Sequence, residues 1–368
     1  MTAEDTNIKI AVRVRPFNGR EMERSAQRII TMDGPTTIIT NPKDGAERKF
    51  TFDYRYEFAS DPLYLSHLSL NLIQQRVFQD LGEAVVENAW KGINASILAY
   101  GQTGSGKSYS MFGYGLNKGL IPMIADRMFT SMAEAKDPGV ELQLTFSMLE
   151  IYNEKVYDLL NPAAGDALRV RNTTNTAFYV EGLKPFPVTT YQEIESLVDR
   201  GTRNRTVAST KMNASSSRSH TILILQFIQI SKVGRTEKRS IINLVDLAGS
   251  ERVNSAGTEG ERLKEGVNIN SSLSVLGQVI AALVQKQNGK KGLVVPYRDS
   301  TLTKLLANAL GGNSRTIMIA ALSPADINYE ETLGTLRFVD RAKQIKTAAT
   351  VNENPLDKCM CRQTNNWG

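Results

Sequence analysis

Cysteine is nearly absent from this chain of 368 residues. The two cysteines, Cys359 and Cys361, lie within its last ten residues, so no disulfide framework can hold the body of the chain together, and we expect a reducing compartment. A Cys-x-Cys pair without further ligands is also too small for a structural zinc site. The first residues are acidic where a secretory signal would be basic. We therefore expect a cytosolic or nuclear protein.

Long apolar runs and internal repeats are also lacking. The longest apolar stretch, residues 275–284, is interrupted by Gly277 and Gln278, which predicts no membrane-spanning segment. Apolar residues make up 41% and charged residues 22%, which excludes a wholly disordered chain. The net charge of +6 favours an anionic partner without choosing between nucleic acid, a membrane surface and an acidic protein; a basic protein with no charged partner fits it equally well.

Strand and helix patterns alternate along the chain. Apolar side chains at every second position, or short apolar runs, predict strands, and three-four spacing predicts helices. The predicted strands cover residues 8–15, 50–58, 95–100, 221–230, 240–249 and 316–324, and the segment 144–160 is expected to begin as a strand and turn helical near Asn153. The predicted helices run from a cap at Asn270 or Ser271 to Gly289, from a cap at Asp299 or Ser300 to Gly311, and over residues 332–345. Residues 221–249 are expected to form a hairpin, within one α/β domain that has a mixed central sheet.

A glycine-rich stretch follows the predicted buried strand 95–100. From Gly101 to Ser108 it reads GQTGSGKS, which matches the phosphate-binding pattern G-x-x-x-x-G-K-S/T. Glycines let backbone N–H groups turn toward a phosphate, because a Cβ would obstruct that approach. Lys107 can reach the β- and γ-phosphates, the Ser108 hydroxyl can bind Mg²⁺, and the next helix points its positive end at the anion. The stretch predicts a nucleoside triphosphate site.

Two polar segments border other predicted strands. In DLAGSE, Asp246 suits a carboxylate that faces Mg²⁺ through water, and Gly249 could offer its N–H to a γ-phosphate and allow rotation when that phosphate leaves. NASSSRSH, residues 213–220, supplies hydroxyls for Mg²⁺ and the attacking water, and Arg218 could pair with a carboxylate. Each segment alone also fits a turn or a strand-capping loop. Beside a phosphate loop, we interpret both as γ-phosphate sensors.

Two features indicate the base of the nucleotide: a missing guanine-binding pattern and a group of residues that could stack on adenine. The guanine-binding pattern N-K-x-D is missing: the N-K at Asn117 lacks the aspartate. Arg13, Arg15 and Pro16, at the end of the first predicted strand, could instead sandwich an adenine by planar stacking, although a solvated strand edge gives the same pattern. We interpret the nucleotide as ATP.

These segments occur in the order and spacing of a known family. RVRP at 13–16, YGQTGSGKS, NASSSRSH and DLAGSE resemble a kinesin motor domain, as do LEIYNE at 149–154, VPYRDSTLTKLL at 295–306 and LGGNSRT at 310–316. The resemblance covers about residues 7–350. Motifs such as VNENP are most similar to the kinesin-three subfamily of organelle transporters. The resemblance implies a P-loop NTPase-type three-layer α/β fold, with a mixed, mostly parallel central sheet and helices on both faces.

The resemblance also implies a microtubule-stimulated ATP hydrolase. Such a motor would use ATP and Mg²⁺, move toward the microtubule plus end in the cytoplasm, and transport organelles or vesicles through cargo regions absent from this chain, with no nucleic-acid partner and no membrane insertion. Asn213 and Ser216 would place the lytic water, and Glu251 would take its proton through a second water and pair with Arg218. The implied catalytic residues are Asn213, Ser216, Ser217, Arg218, Gly249 and Glu251; the nucleotide-binding residues are Arg13, Arg15, Pro16, Gly101, Gln102, Thr103, Gly104, Ser105, Gly106, Lys107, Ser108 and Tyr109; the Mg²⁺ ligands are Ser108, Ser217 and Asp246.

The same resemblance divides the chain and assigns a microtubule face. Residues 1–345 would be the motor domain, 346–355 a neck linker that docks when ATP is bound, and 356–368 a tail of unknown structure. The helix from Asn270 would relay the nucleotide state to tubulin. The cations implied to meet the acidic tubulin surface are Arg169, Arg171, Lys264, Lys286, Lys290, Lys291 and Arg298. A weaker grip than in relatives is expected, because the lysine-rich loop 286–292 is short and Ser271 and Ala307 replace frequent basic residues.

Three other functions stay open from the residues themselves. A GTPase-like switch would share the phosphate loop, but the missing guanine pattern argues against it. A nucleic-acid translocase is suggested by the basic charge alone, without a second ATPase lobe or an aromatic-rich basic groove. A microtubule-binding module without catalysis is the third, and every residue that catalysis would need is present.

Overall fold

The structure is a computed structural model. It describes residues 4–57, 67–135, 137–162, 167–173, 177–211, 216–251 and 261–355. Asn213 and the tail 356–368 lie outside the described residues, and so do the side chains of Ser216 and Lys264.

The secondary structure alternates between strands and helices over most of this range. The helices are α1 Gly19–Glu23, α2 His67–Val77, α3 Glu83–Trp90, α4 Lys107–Met111, α5 Leu120–Glu134, α6 Tyr191–Lys211, α7 Glu261–Gln287, α8 Thr301–Leu305 and α9 Tyr329–Ala342. The strands are β1 Glu4–Asn7, β2 Lys9–Val14, β3 Ile30–Asp33, β4 Thr36–Thr40, β5 Glu47–Thr51, β6 Tyr54–Glu57, β7 Ala95–Tyr100, β8 Gly113–Tyr114, β9 Asn117–Lys118, β10 Val140–Tyr152, β11 Lys155–Asp158, β12 Val170–Asn172, β13 Phe178–Val180, β14 Phe186–Val188, β15 His220–Ser231, β16 Thr236–Asp246, β17 Arg315–Leu322, β18 Lys346–Ala349 and β19 Glu353–Pro355. Among the described residues, no helix is both long and apolar enough to cross a bilayer.

The central sheet has the order β11-β10-β15-β16-β7-β17-β2-β6, with β14 beside β10 and β19 beside β16. Pairing is parallel from β16 to β6 and antiparallel elsewhere. The predicted mixed sheet is confirmed: four of the seven pairings along this order of described strands are parallel, and β14 and β19 add two antiparallel pairs. Short turns join β10 to β11 and β15 to β16, and such turns require antiparallel neighbours.

Both faces of the sheet are covered, which gives the predicted three layers. Successive side chains of a strand point to opposite faces. Leu98 of β7 packs in a core that contains Leu276 of α7 and Leu336 of α9. Its neighbour Ile97 packs in a second core with Ile124 of α5. All six residues of β7 are buried, because helices lie on both sides of this strand.

Several local predictions need correction. The segment near Asn153 is a hairpin turn and not a helix: Asn153 and Glu154 have φ of +50° and +62°, and β11 returns beside β10. The described part of the predicted strand 50–58 is divided between two strands, because β5 ends at Thr51 and β6 begins at Tyr54. Helix α7 begins at Glu261 and passes through Asn270, so the predicted cap there is wrong. The regular apolar spacing starts only at Leu273, which left the earlier turns without a periodic signal. The hairpin of β15 and β16 is confirmed.

The carboxyl ends of five parallel strands, β16, β7, β17, β2 and β6, meet at one edge of the sheet. In register, Tyr100 pairs with Ala320 of β17, and Ala99 pairs with Asp246 of β16. Strand β15 runs the other way, so its first residues lie beside Asp246. The segments that follow β2, β7 and β16, and the one that precedes β15, are therefore neighbours although they are far apart in sequence. Ligands of open α/β sheets bind at such an edge.

Candidate nucleotide site

The stretch 101–108 forms a tight loop between β7 and α4. Gly101 and Gly106 have φ of +148° and +103°, a region that favours glycine. A Cβ on Gly101 would also collide with the carbonyl oxygen of Ala321 in β17. The loop backbone can thus approach its neighbours closely, as a phosphate cradle requires. It carries eight of the predicted binding residues: Gly101, Gln102, Thr103, Gly104, Ser105, Gly106, Lys107 and Ser108.

Lys107 lies inside the loop that it ends. Its Nζ donates to the carbonyl oxygens of Gly101 and Gln102, at 2.9 and 2.8 Å. Burial lowers the pKa of Lys107 below its ordinary value, and the carboxylates of Asp246 and Glu251 oppose that shift. The ammonium group is therefore held by weak neutral acceptors, in a place where a phosphate would be a stronger partner.

Ser108 and Asp246, both predicted Mg²⁺ ligands, are in direct contact. The Ser108 hydroxyl donates to Oδ2 of Asp246 at 2.6 Å. The other oxygen, Oδ1, is buried and has no hydrogen-bond partner in the described part of the chain. Burial raises the pKa of Asp246, and the Ser108 hydrogen bond and the charge of Lys107 act in the opposite direction. A hydroxyl beside a buried carboxylate with an unpaired oxygen is a donor set that fits Mg²⁺.

The loop 246–251 touches the phosphate loop and the predicted segment 213–220. The Gly249 N–H donates to the carbonyl oxygen of Ser217 at 2.9 Å, and Ser250 N–H donates to that of Gly101 at 3.1 Å. A Cβ on Gly249 would collide with the Thr103 hydroxyl and the Glu251 carboxylate. Steric crowding therefore favours glycine at position 249.

Glu251 reaches across this contact with its side chain. Its carboxylate accepts from Thr103 twice, from the backbone N–H at 2.7 Å and from the hydroxyl. Arg218 is half-buried in the 3-10 turn Ser216–Arg218, and its pairing with Glu251 stays a prediction. The phosphate loop and the loop 246–251 are thus joined by backbone and side-chain contacts together.

The arginines predicted to bind adenine lie at this edge in two environments. Arg13 is only 3% exposed; it donates to Gln74 and Ser110 and lies 5.0 Å from the centre of the Tyr109 ring. Burial lowers the pKa of Arg13 to about 10. We therefore expect Arg13 to support the Tyr109 ring from below rather than to offer an open face.

Arg15 is fixed by a carboxylate that the sequence analysis missed. Its two terminal nitrogens donate to the two oxygens of Glu21, both at 2.6 Å, and Nη1 also donates to the carbonyl oxygen of Pro16. Nε donates to Gly104 in the phosphate loop at 2.6 Å. Glu21 closes a capping box with Asn18, and the N-x-x-E spacing could have identified it. No local sequence pattern could have identified Gln74, whose side-chain oxygen accepts from Arg13.

His220 is a second residue whose contacts the sequence analysis missed. The ring is 2% exposed, and Ala248 N–H donates to its Nδ1 at 2.9 Å. Its Nε2 lies 2.9 Å from the Ser272 hydroxyl of α7. Burial, with the nearby charges of Arg205 and Lys107, lowers the pKa of His220 to about 3, so the ring is neutral.

The predicted cations of the microtubule face come from adjacent elements. Hairpin β12–β13 packs against α8, and α8 packs against α7. The hairpin, the end of α7 and the segment before α8 carry the described members of the set, all of them exposed: Arg169, Arg171, Lys286, Lys290, Lys291 and Arg298. Arg171 pairs with Glu181 at 3.0 Å, and Lys290 donates to Gln285 at 3.1 Å.

Comparison with known proteins identifies the family. The profile of the kinesin motor domain matches residues 13–345. The chain belongs to this family. As a kinesin motor domain it is 51% identical to Kinesin-related protein 1 of Dictyostelium discoideum, over 96% of this chain and 17% of the relative. It is 50% identical to Kinesin-like protein KIF28 of Mus musculus, over 95% and 35%, and 48% identical to Kinesin-like protein KIF1A of Rattus norvegicus, over 96% and 21%. The chain thus spans about a third or less of the length of these relatives.

Solved kinesin structures agree with the fold. The structure of a fast kinesin has a TM-score of 0.84 and 39% identity, and covers 95% of this chain and 94% of its own. A KIF14 dimer in the two-heads-bound state, with AMP-PNP and in complex with a microtubule, has a TM-score of 0.86 and 40% identity, and covers 98% of this chain and 100% of its own. The kinesin motor fold that the sequence motifs imply is therefore confirmed.

Proposed function

We propose that this kinesin motor domain is a microtubule-stimulated ATPase that moves along microtubules. One observation carries the proposal: three segments from distant parts of the chain meet, since the phosphate loop contacts the loop 246–251 at Asp246 and Glu251, and Gly249 of that loop contacts Ser217. Loss of a terminal phosphate between these segments would change contacts in two of them. The AMP-PNP in the KIF14 structure supports an adenine nucleotide here.

The chemistry that these residues support is phosphoryl transfer to water by positioning and electrostatics. Lys107 would exchange its carbonyl partners for the phosphates, and Gly249 N–H would meet the γ-phosphate. Bound Mg²⁺ would neutralise charge on the phosphates; Ser108, Ser217 and Asp246 would hold it. Asn213 and Ser216 would place the lytic water. Glu251 would take up its proton through a second water and, paired with Arg218, close the pocket.

The microtubule is the proposed partner. The KIF14 chain, which the structural match covers over its whole length, is in complex with a microtubule. Six exposed cations on adjacent elements suit an acidic surface, and such contacts mainly speed the encounter and weaken with salt. Similarity to KIF1A supports a place in the kinesin-three subfamily, with organelle or vesicle transport on cytoplasmic microtubules and cargo bound by other regions.

Residues 346–355 are the proposed neck linker. Strand β18 pairs antiparallel with β1, and β19 pairs with β16 between Thr236 and Lys238. The segment thus contacts the core twice, first through the small β1–β18 sheet and then beside the first residues of β16, which supports a linker that can lie along the core. Plus-end movement follows from the resemblance and is tested by gliding of polarity-marked microtubules, where minus-end motion would contradict it.

One experiment tests the function as a whole. ATP turnover is measured with and without polymerised tubulin, for the parent chain and for Glu251→Ala. We expect strong stimulation in the parent chain and near-complete loss in the variant, because the carboxylate that bridges to Thr103 is then missing. Exposed Glu23→Ala is the matched control and should behave like the parent chain.

Two results would contradict the proposal. Equal turnover with and without microtubules would remove the motor function. Faster turnover of GTP than of ATP would favour the GTPase-like switch, and this comparison uses the same preparation. Chelation of divalent ions by EDTA should abolish turnover if Mg²⁺ is required.

A further inference from the structure

His220 lies at the meeting point of three segments. It is the first residue of β15, and only Ser219 separates it from the turn Ser216–Arg218. Because Nδ1 accepts from the Ala248 N–H, the proton of the neutral ring must lie on Nε2, which then donates to the Ser272 hydroxyl. Both nitrogens are occupied on opposite sides of a rigid ring. One side chain thus joins the loop 246–251 to helix α7.

The contact with the loop is made to its backbone. Ala248 N–H bonds to the ring, and the next N–H, of Gly249, bonds to Ser217. These two adjacent amides tie the loop 246–251 to the segment that carries His220. A displacement of the loop at Gly249 must therefore move or break the bond at Ala248. On the far side, Ser272 is 3% exposed, so its hydroxyl cannot turn to bulk water instead.

We propose that His220 is a positioning residue that transmits movement of the loop 246–251 to helix α7. This inference rests on the proposed function, because the γ-phosphate is what would move that loop. The ring does not need to touch the nucleotide or to take up a second proton. Burial and the charges of Arg205 and Lys107 keep it neutral, so its two hydrogen bonds have fixed directions at every working pH.

Two variants cut the link from opposite ends. In His220→Asn, the amide oxygen lies near the position of Nδ1 and can keep the Ala248 bond, while the reach to Ser272 is lost. Ser272→Ala removes the hydroxyl with little change in volume and leaves the ring in place. Ser272→Ala should keep basal ATP turnover within about twofold of the parent chain, since Ser272 lies on α7 and belongs neither to the phosphate loop nor to the loop 246–251.

The first measurement is amide hydrogen exchange in α7 with ADP and with AMP-PNP, without microtubules. We expect the two nucleotides to give different protection in the parent chain, and the difference to be lost in both variants. The second is the ratio of the microtubule dissociation constants with ADP and with AMP-PNP, which should shrink by about fivefold or more in each variant. The double variant should be no worse than either single one, because all three break one link.

The outcomes are distinct. A nucleotide-dependent protection of α7 that persists in Ser272→Ala would overturn the inference, and so would its absence in the parent chain. Additive losses in the double variant would also overturn it. If the parent chain fails to bind microtubules, the proposed function falls, while the exchange measurement still decides whether His220 couples the loop to α7. Thermal melting of each variant identifies a folding defect, and Ser272→Ala keeps the test open if His220→Asn unfolds.

Discussion

The proposed nucleotide edge and the proposed microtubule face of this kinesin motor domain are built in different ways. At the nucleotide edge, backbone amides and glycines set the geometry, and a Cβ at Gly101 or Gly249 would collide with a neighbour. The proposed microtubule face consists of exposed side chains on a short hairpin, a helix end and a loop. In the first region, a substitution of a single residue should disturb the geometry of the site. In the second region, binding should depend on the sum of many charges, so that each one contributes little. Single substitutions should therefore act very differently in the two regions.

The largest effect is expected at the phosphate loop. Lys107→Ala should lower ATP turnover by about 10²- to 10³-fold, because it removes the buried charged donor that we propose turns from the loop carbonyls to the phosphates. Steady-state ATPase assays and nucleotide binding would measure the loss. Exposed Lys43→Ala, in the turn between β4 and β5, is the control and should change neither quantity. A decrease of less than tenfold in Lys107→Ala would contradict the proposed role.

The difference between the regions also explains what could be predicted from sequence. The phosphate loop was recognisable because its geometry depends on glycines at fixed spacing. The cap at Ser300 was recognisable because it depends on a local contact: its hydroxyl accepts from the Thr303 N–H, three residues later. The partner of Arg13 was not, since Gln74 is 61 residues away and its polar side chain resembles any surface residue. The cations of the microtubule face were found only through the family resemblance. Exposed lysines carry no pattern of their own.

The pH dependence of stability tests whether His220, near the proposed nucleotide edge, is buried as a neutral ring. Its folded pKa of about 3 lies below the ordinary 6.5, so between these values the unfolded chain binds a proton that the folded chain does not. Stability from this group is present above pH 6.5 and is lost as the pH falls. Between pH 7 and 5 the loss should be about 2 kcal/mol, and His220→Asn should lack this share. Urea unfolding at both pH values measures it, and equal losses in the parent chain and the variant would contradict the burial of a neutral ring.

A smaller effect is expected on the microtubule face. Lys290→Ala combined with Lys291→Ala should raise the microtubule concentration for half-maximal ATPase by about fivefold at low salt, with basal turnover unchanged. The difference from the parent chain should shrink as salt is added, because the two charges are exposed. Lys43→Ala again serves as the control. An effect that is independent of salt, or a decrease in basal turnover, would contradict a purely electrostatic contact.

The smallest effect concerns the hairpin turn that the sequence analysis interpreted as helical, because this turn supports the segment next to Arg298. The Glu154 carboxylate accepts from Thr301 N–H at 2.5 Å and so caps α8, while Thr301 Oγ1 donates to the backbone oxygen of Glu154. The φ of +62° is unfavourable for glutamate, so here a side-chain contact outweighs a backbone preference, the reverse of the phosphate loop.

Two substitutions at this position separate the cap from the strain. Glu154→Ala should cost about 1 kcal/mol of unfolding free energy, since it removes the cap and keeps the strain. Glu154→Gly removes the cap and the strain together, and glycine is at ease in the left-handed region, so it should be more stable than Glu154→Ala by about 1 kcal/mol. Urea unfolding of both variants decides the point. Equal stability of the two would show that the strain is not real, and an alanine variant as stable as the parent chain would show that the cap contributes nothing.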